Sequence, residues 1–127
     1  MLKTQYATTL ALLTGVALGA VAVQGLHAQA KPPAYVIGEI DVMDQEGYAR
    51  EYQPLARKAN PDAKALVSGG STASFKGEPP KRIVMFVFEN MEKAQAAFTS
   101  SAYNEAWTAG SKYAKFRIYA VEGVPPK

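Results

Sequence analysis

RIVMFVFENMEKAQAAF, residues 82–98, changes its period partway along. From Arg82 to Phe88 nearly every residue is β-branched, aromatic or otherwise apolar, which is strand composition. It is the most apolar strand of the chain, so it belongs in the interior of a sheet. Asn90 then offers an N-cap oxygen. Met91, Ala94 and Phe98 recur at helical spacing, with Ala97 beside them. Ser100 or Ser101 restarts a short helix that stops at Gly110. That helix carries Tyr103 and Trp107 one turn apart on one face.

Working back from Arg82, Gly77-Glu78-Pro79-Pro80 reads as a turn. Lys64 to Lys76 reads as a strand interrupted at Gly69-Gly70 by a bulge. Asn60-Pro61-Asp62 closes a helix that begins behind Asp44, a good N-cap. Along that helix Tyr48, Tyr52, Leu55, Ala56 and Ala59 form one stripe. Pro54 is expected to kink it near Arg50. Tyr35 to Val42 is the first strand. Its alternation places Tyr35, Ile37, Glu39 and Asp41 on one face and Val36, Gly38, Ile40 and Val42 on the other. Gly38 is expected to let a helix approach closely. Lys115 to Glu122 is the last strand, with Phe116, Ile118 and Ala120 against Lys115, Arg117, Tyr119 and Val121.

The order β-α-β-β-α-β is the ferredoxin-like α+β arrangement, a four-stranded antiparallel sheet with both helices on one face. Nothing in the chain is left to cover the other face, where Ile37, Arg117 and Tyr119 lie. An open apolar sheet face finds a partner, and the simplest partner is a second copy in a two-fold homodimer.

Residues 1–30 read as a secretory leader. Lys3 supplies the positive start, Tyr6 to Leu26 is an uncharged apolar run, and Ala28 and Ala30 stand at the −3 and −1 positions of a cleavage site. The expected location is therefore periplasmic or secreted. The alternative is an uncleaved leader that anchors the chain in the membrane. Residues 31–33 form a short linker, residues 34–123 the domain and residues 124–127 a tail. Of the 14 Lys and Arg only Lys3 lies in the leader, and all 11 acids follow it, so residues 31–127 carry +2. A charge so small and dispersed gives no argument for nucleic acid, and none is expected as a partner. The chain has no Cys, and its one His, His27, lies in the leader. Thiol catalysis, Ser-His-Asp triads, His-ligated haem and most zinc sites are thereby excluded. No metal and no cofactor are expected, although oxygen-ligated ions are compatible with the composition.

The candidate ligand-binding residues are Glu39, Asp41, Arg82, Tyr103, Trp107, Arg117 and Tyr119. The first strand's parity points Glu39 and Asp41 to the uncovered face, and Arg117 joins them there. Together with Arg82 they would make a carboxylate–guanidinium cluster able to hold a small polar acid or move a proton. The plainer reading is an ion pair across a dimer interface, and it is preferred because structural ion pairs imitate sites. Tyr103 and Trp107, with Tyr113 and Tyr119 nearby, would wall the mouth of a pocket between sheet and helix. The plainer reading, also preferred, is packing or an interface anchor. Gly69-Gly70-Ser71-Thr72 lacks the P-loop pattern and leads into no helix, so it does not read as a phosphate cradle.

Tyr35 with Asp41, Tyr48 with Tyr52, Gly69-Gly70, Gly77, Arg82, Phe88, Ala97-Phe98, Ser100 with Tyr103, and Val121-Glu122-Gly123 occur in an order that resembles the DUF1330 family of the dimeric α/β-barrel group. The resemblance spans nearly all of residues 34–123. It implies the ferredoxin-like fold and a homodimer, without a settled activity. Four positions depart from the family's pattern: Ser68 where an arginine is usual, Ser101 and Ala102 inside the motif that keeps Ser100 and Tyr103, and Val87 where a carboxylate is common. Three readings of function follow. The first is an exported homodimer binding an unidentified small molecule. The second is a cofactor-independent monooxygenase or isomerase, by analogy with other dimeric α/β barrels. The third is a structural interaction protein of the envelope.

Overall fold

Burial alternates along β1 (Ala34–Val42) in a computed structural model that describes residues 31–127: Ala34, Val36, Gly38 and Ile40 are buried, and the residues between them are not. This is the parity expected of a strand with one covered face. The leader, with Ala28, Ala30 and His27, lies outside the described residues. β2 (Lys64–Ser68), β3 (Arg82–Phe88) and β4 (Ala114–Glu122) complete an antiparallel sheet in the order β2-β3-β1-β4. β3 is interior, as its apolar run requires. The pairs Gly38↔Val84 and Gly38↔Ile118 fix the register on either side of β1.

Three strand features differ from expectation. β2 ends at Ser68, and residues 69–81 form a loop instead of a continued strand. The bulge lies at Leu66, where the register shifts between Ala65 and Val67, and not at the glycines. Gly69 serves a different purpose: its φ of +68° is in the left-handed region that favours glycine. The space over Gly38 is filled by strand neighbours, not by a helix. A Cβ there would meet Val84 Cγ2 at 2.7 Å and Ile118 Cγ1 at 3.8 Å.

The first helical segment runs through α1 (Gln45–Gly47), a π-helical turn (Tyr48–Tyr52) and α2 (Gln53–Ala59). Asp44 caps it, its carboxylate accepting from the Gly47 N–H at 3.1 Å. Pro54 has no N–H to donate, and its ring crowds the carbonyl four residues back. The chain answers by widening the preceding turn, so that the Gln53 N–H reaches the Tyr48 carbonyl. The expected kink is thus a π turn, and Tyr48 and Tyr52 both stay buried on the core side.

α3 (Met91–Thr99) starts at Asn90, whose side chain accepts from the Lys93 N–H at 2.9 Å. α4 (Ser101–Gly110) starts at Ser100, whose hydroxyl accepts from the Tyr103 N–H at 3.1 Å. All helices lie on the covered face. One core cluster joins Ile40, Tyr48, Tyr52, Tyr103, Ala106 and Ala114; a second joins Ala34, Val36 and Ala94. Phe98 and Ile118 pack against both. Among the described residues no helix is long and apolar enough to cross a membrane.

Gly110 ends α4 because two rings occupy the space a side chain would need. A Cβ there would sit 2.6 Å from Tyr52 Cδ2 and 3.0 Å from Phe116 Cζ. Gly110→Ala is expected to destabilise the domain by about 1–3 kcal/mol, the usual cost of forcing a methyl into a packed core. Urea unfolding monitored by circular dichroism measures it. An unchanged midpoint would show that the rings have room to move.

Candidate functional site

Antiparallel pairing separates the strand residues that the sequence suggests as one cluster. Glu39 lies opposite Arg117 on the open face of the sheet. The Arg117 guanidinium donates to the Glu39 carboxylate through Nε at 3.1 Å and through Nη2 at 2.9 and 2.8 Å. The Tyr119 hydroxyl donates to the same carboxylate at 2.7 Å. These two donors hold Glu39 below the usual carboxylate range, Tyr119 first and Arg117 second. Asp41 lies farther along the same face and pairs with Lys81 at 3.1 Å.

Arg82 does not join them. It pairs with Ile40, a covered-face position, so it lies on the helix side of the sheet. Its guanidinium carbon is 5.8 Å from the centre of the Tyr48 ring. Its Nε is buried and has no hydrogen-bond partner. The guanidinium occupies the space over Gly69, where a Cβ would stand 2.1 Å from Nη1. Gly69 is favoured by its backbone angle and leaves room for the arginine above it.

Arg82 borders a cavity of about 510 Å³ between the first helical segment and the β2–β3 half of the sheet. Its walls are mostly apolar, with Ile40, Ala56, Val84, Phe86 and Phe98 among them. Polar groups enter from Tyr48, Tyr52, Gln53, Asn60, Ser68 and Tyr103, and Arg57 stands with Arg82 as the second cation. Neither Asp nor Glu lines it. Asn60 helps to fix the helix end beside it by donating from Nδ2 to the Ala97 carbonyl at 3.1 Å.

Tyr103 and Trp107 differ in exposure. Tyr103 is buried, and its hydroxyl is 2.8 Å from that of Tyr52. Trp107 is 46% exposed and borders a second hollow of about 480 Å³ between α3, α4 and β4, which Tyr103 and Tyr119 also reach. The pair thus lines this one hollow together, and Tyr103 packs in the core as well. Tyr113 lies elsewhere, donating to the Glu51 carboxylate. Sequence reasoning missed Tyr48 and Tyr52 as cavity residues because their spacing was read only as a helical stripe. It also missed Ser68, which faces the cavity from opposite Val84.

The tyrosine hydroxyls of the cavity are hydrogen-bond donors at neutral pH. Burial pushes the Tyr48 hydroxyl up, with the Arg82 charge opposing. Burial pushes Tyr52 up strongly, and the neighbouring Tyr103 adds to the effect. Burial also raises Tyr103.

The family profile described as "Domain of unknown function (DUF1330)" matches residues 33–124. In structure the chain is similar to a protein of unknown function from Rhodopseudomonas palustris, at 12% identity and a TM-score of 0.51, over 83% of this chain and 94% of that one. It is similar to a conserved protein of unknown function from Bacteroides thetaiotaomicron, described as a possible oxidoreductase, at 11% identity and a TM-score of 0.50, over 74% and 100% of the two chains. It is also similar to an ethyl tert-butyl ether D (EthD) family protein from Bacillus halodurans, at 17% identity and a TM-score of 0.50, over 73% and 99%. These likenesses show a shared α+β fold. No curated protein matches the chain significantly.

The raised tyrosines predict how stability depends on alkaline pH. An unfolded tyrosine ionises near pH 10, whereas the folded chain keeps these three protonated above that. Their contribution is therefore full below about pH 10 and is lost as pH rises further. Urea midpoints are expected to fall between about pH 9 and 11. Tyr52→Phe is expected to flatten that fall while costing about 1–3 kcal/mol at neutral pH, because the buried Tyr103 hydroxyl loses its partner. A slope identical to wild type would remove Tyr52 from this account.

Proposed function

The chain belongs to the DUF1330 family, and from that premise we propose that it is an exported homodimer that binds a small molecule in the cavity beneath the first helical segment. The observation that carries the binding reading is the cavity itself. Its volume of about 510 Å³ falls in the common range for ligand pockets, roughly 300–1,000 Å³, and its apolar wall with a few convergent polar groups is the usual composition. The monooxygenase or isomerase reading has less support. Proton abstraction needs a base, and no carboxylate or imidazole lines the cavity. Its tyrosines are poor bases when their hydroxyls hold their protons so firmly.

Dimerisation through the open sheet face is supported by the residues that point there. Ile37 on β1 lies between Met85 of β3 and Tyr119 of β4, and Val87 and Val121 flank Tyr35. The Glu39–Arg117 pair beside them is satisfied within one chain, so it lends polarity to the edge of the patch without needing the partner. Export is supported by the leader pattern, with cleavage after Ala30.

Native mass spectrometry of the chain recovered from the envelope fraction of its own cells tests all three parts. The expected result is a dimer of chains starting at Lys31 that carries a discrete additional mass. Ala65→Trp, which fills the cavity, is expected to remove that mass and leave the dimer intact. Ile37→Glu is expected to give monomers. An additional mass that survives Ala65→Trp would refute binding in this cavity. Dimers that survive Ile37→Glu would refute the open-face interface.

A further inference from the structure

We propose that the cavity selects an anion, an amphipathic monocarboxylate with its acid group on Arg82 and its hydrocarbon part among Ile40, Ala56, Val84, Phe86 and Phe98. This inference deepens the binding reading above and rests on it.

A guanidinium partly removed from water is stabilised by a counter-charge or by further hydrogen bonds. Among the described residues no carboxylate pairs with Arg82: the ion pairs join Arg50 to Glu46 and Glu51, Lys81 to Asp41, Lys93 to Glu89 and Arg117 to Glu39. Its Nε is buried without a partner. The only other charged residue lining the cavity is Arg57, also a cation. The potential inside is therefore positive, and nothing in the wall neutralises it.

The guanidinium occupies the space that Gly69 leaves open and lies against the face of Tyr48. Such a fork is suited to a carboxylate, which accepts two parallel N–H bonds from it. The Tyr48 hydroxyl and Ser68 add donors at the same end. Most of the remaining wall is apolar, and Arg57 is its one other charged residue. A molecule with one acid group and an apolar body meets both halves of the lining.

Binding of three eight-carbon probes, octanoate, octan-1-ol and octylamine, measured by calorimetry on the dimer tests this. Octanoate is expected to bind about 10–100-fold more tightly than octan-1-ol, the value of a charge-assisted hydrogen bond, and octylamine to bind most weakly. Arg82→Gln is expected to erase the advantage of octanoate, and Lys58→Gln, on the outer face of α2, to leave it. A second readout needs no variant: octanoate is expected to shift the Arg82 Nε–H resonance, and octan-1-ol to leave it in place. Equal affinity for octanoate and octan-1-ol, or an advantage that survives Arg82→Gln, would overturn the anion assignment and leave the cavity as a neutral binding site. If none of the probes binds, both the assignment and the binding reading fall.

Discussion

The packing of this domain depends on one side chain, Tyr52. Its ring stacks on Tyr48 at 5.1 Å and tilts against Phe116 of β4 at 4.8 Å. Its hydroxyl meets that of Tyr103 on α4 at 2.8 Å. Its edge fills the space that Gly110 leaves open. The first helical segment, the last helix and the sheet are therefore joined at a single residue. A hydroxyl pair in so apolar a setting costs far more to leave unmade than it gains when made. That asymmetry fixes where the helices sit over the sheet. The cavity beside Tyr52 is what remains once that placement is set.

The π turn follows from the same constraint. Pro54 breaks α-helical bonding within the segment that must deliver Tyr48 and Tyr52 to the core. Widening the turn keeps both rings inward while giving the Gln53 N–H a partner. Local strain and tertiary packing compete here, and packing decides the form of the distortion.

The order of elements is legible in the sequence because caps and periods agree: Asp44, Asn90 and Ser100 each accept the hydrogen bond expected of them. The partnership of Glu39 with Arg117 is legible from parity, since both their strands alternate. The face of Arg82 is not. RIVMFVF is apolar at nearly every position, and an interior strand of this kind has no alternation from which to read its register. Only the pairing of Ile40 with Arg82 places the arginine under the helices. The bulge at Leu66 was hidden for a related reason. Gly69-Gly70 is the conspicuous irregularity in the sequence, yet glycine there answers to the arginine above it.

The two arginines most exposed to functional interpretation have opposite circumstances. Arg117 spends three hydrogen bonds on Glu39, and Tyr119 occupies more of the same carboxylate. The cluster is complete within the chain, and a polar ligand would have to break it to enter. Arg82 lies against Tyr48 in the space that Gly69 leaves open, and neither neutralises it. A cation at a cavity without a counter-charge is suited to bind an anion. The chemistry of the sheet is thus divided between its faces: a self-contained ion pair on the open side, and an open cationic site on the side the helices enclose.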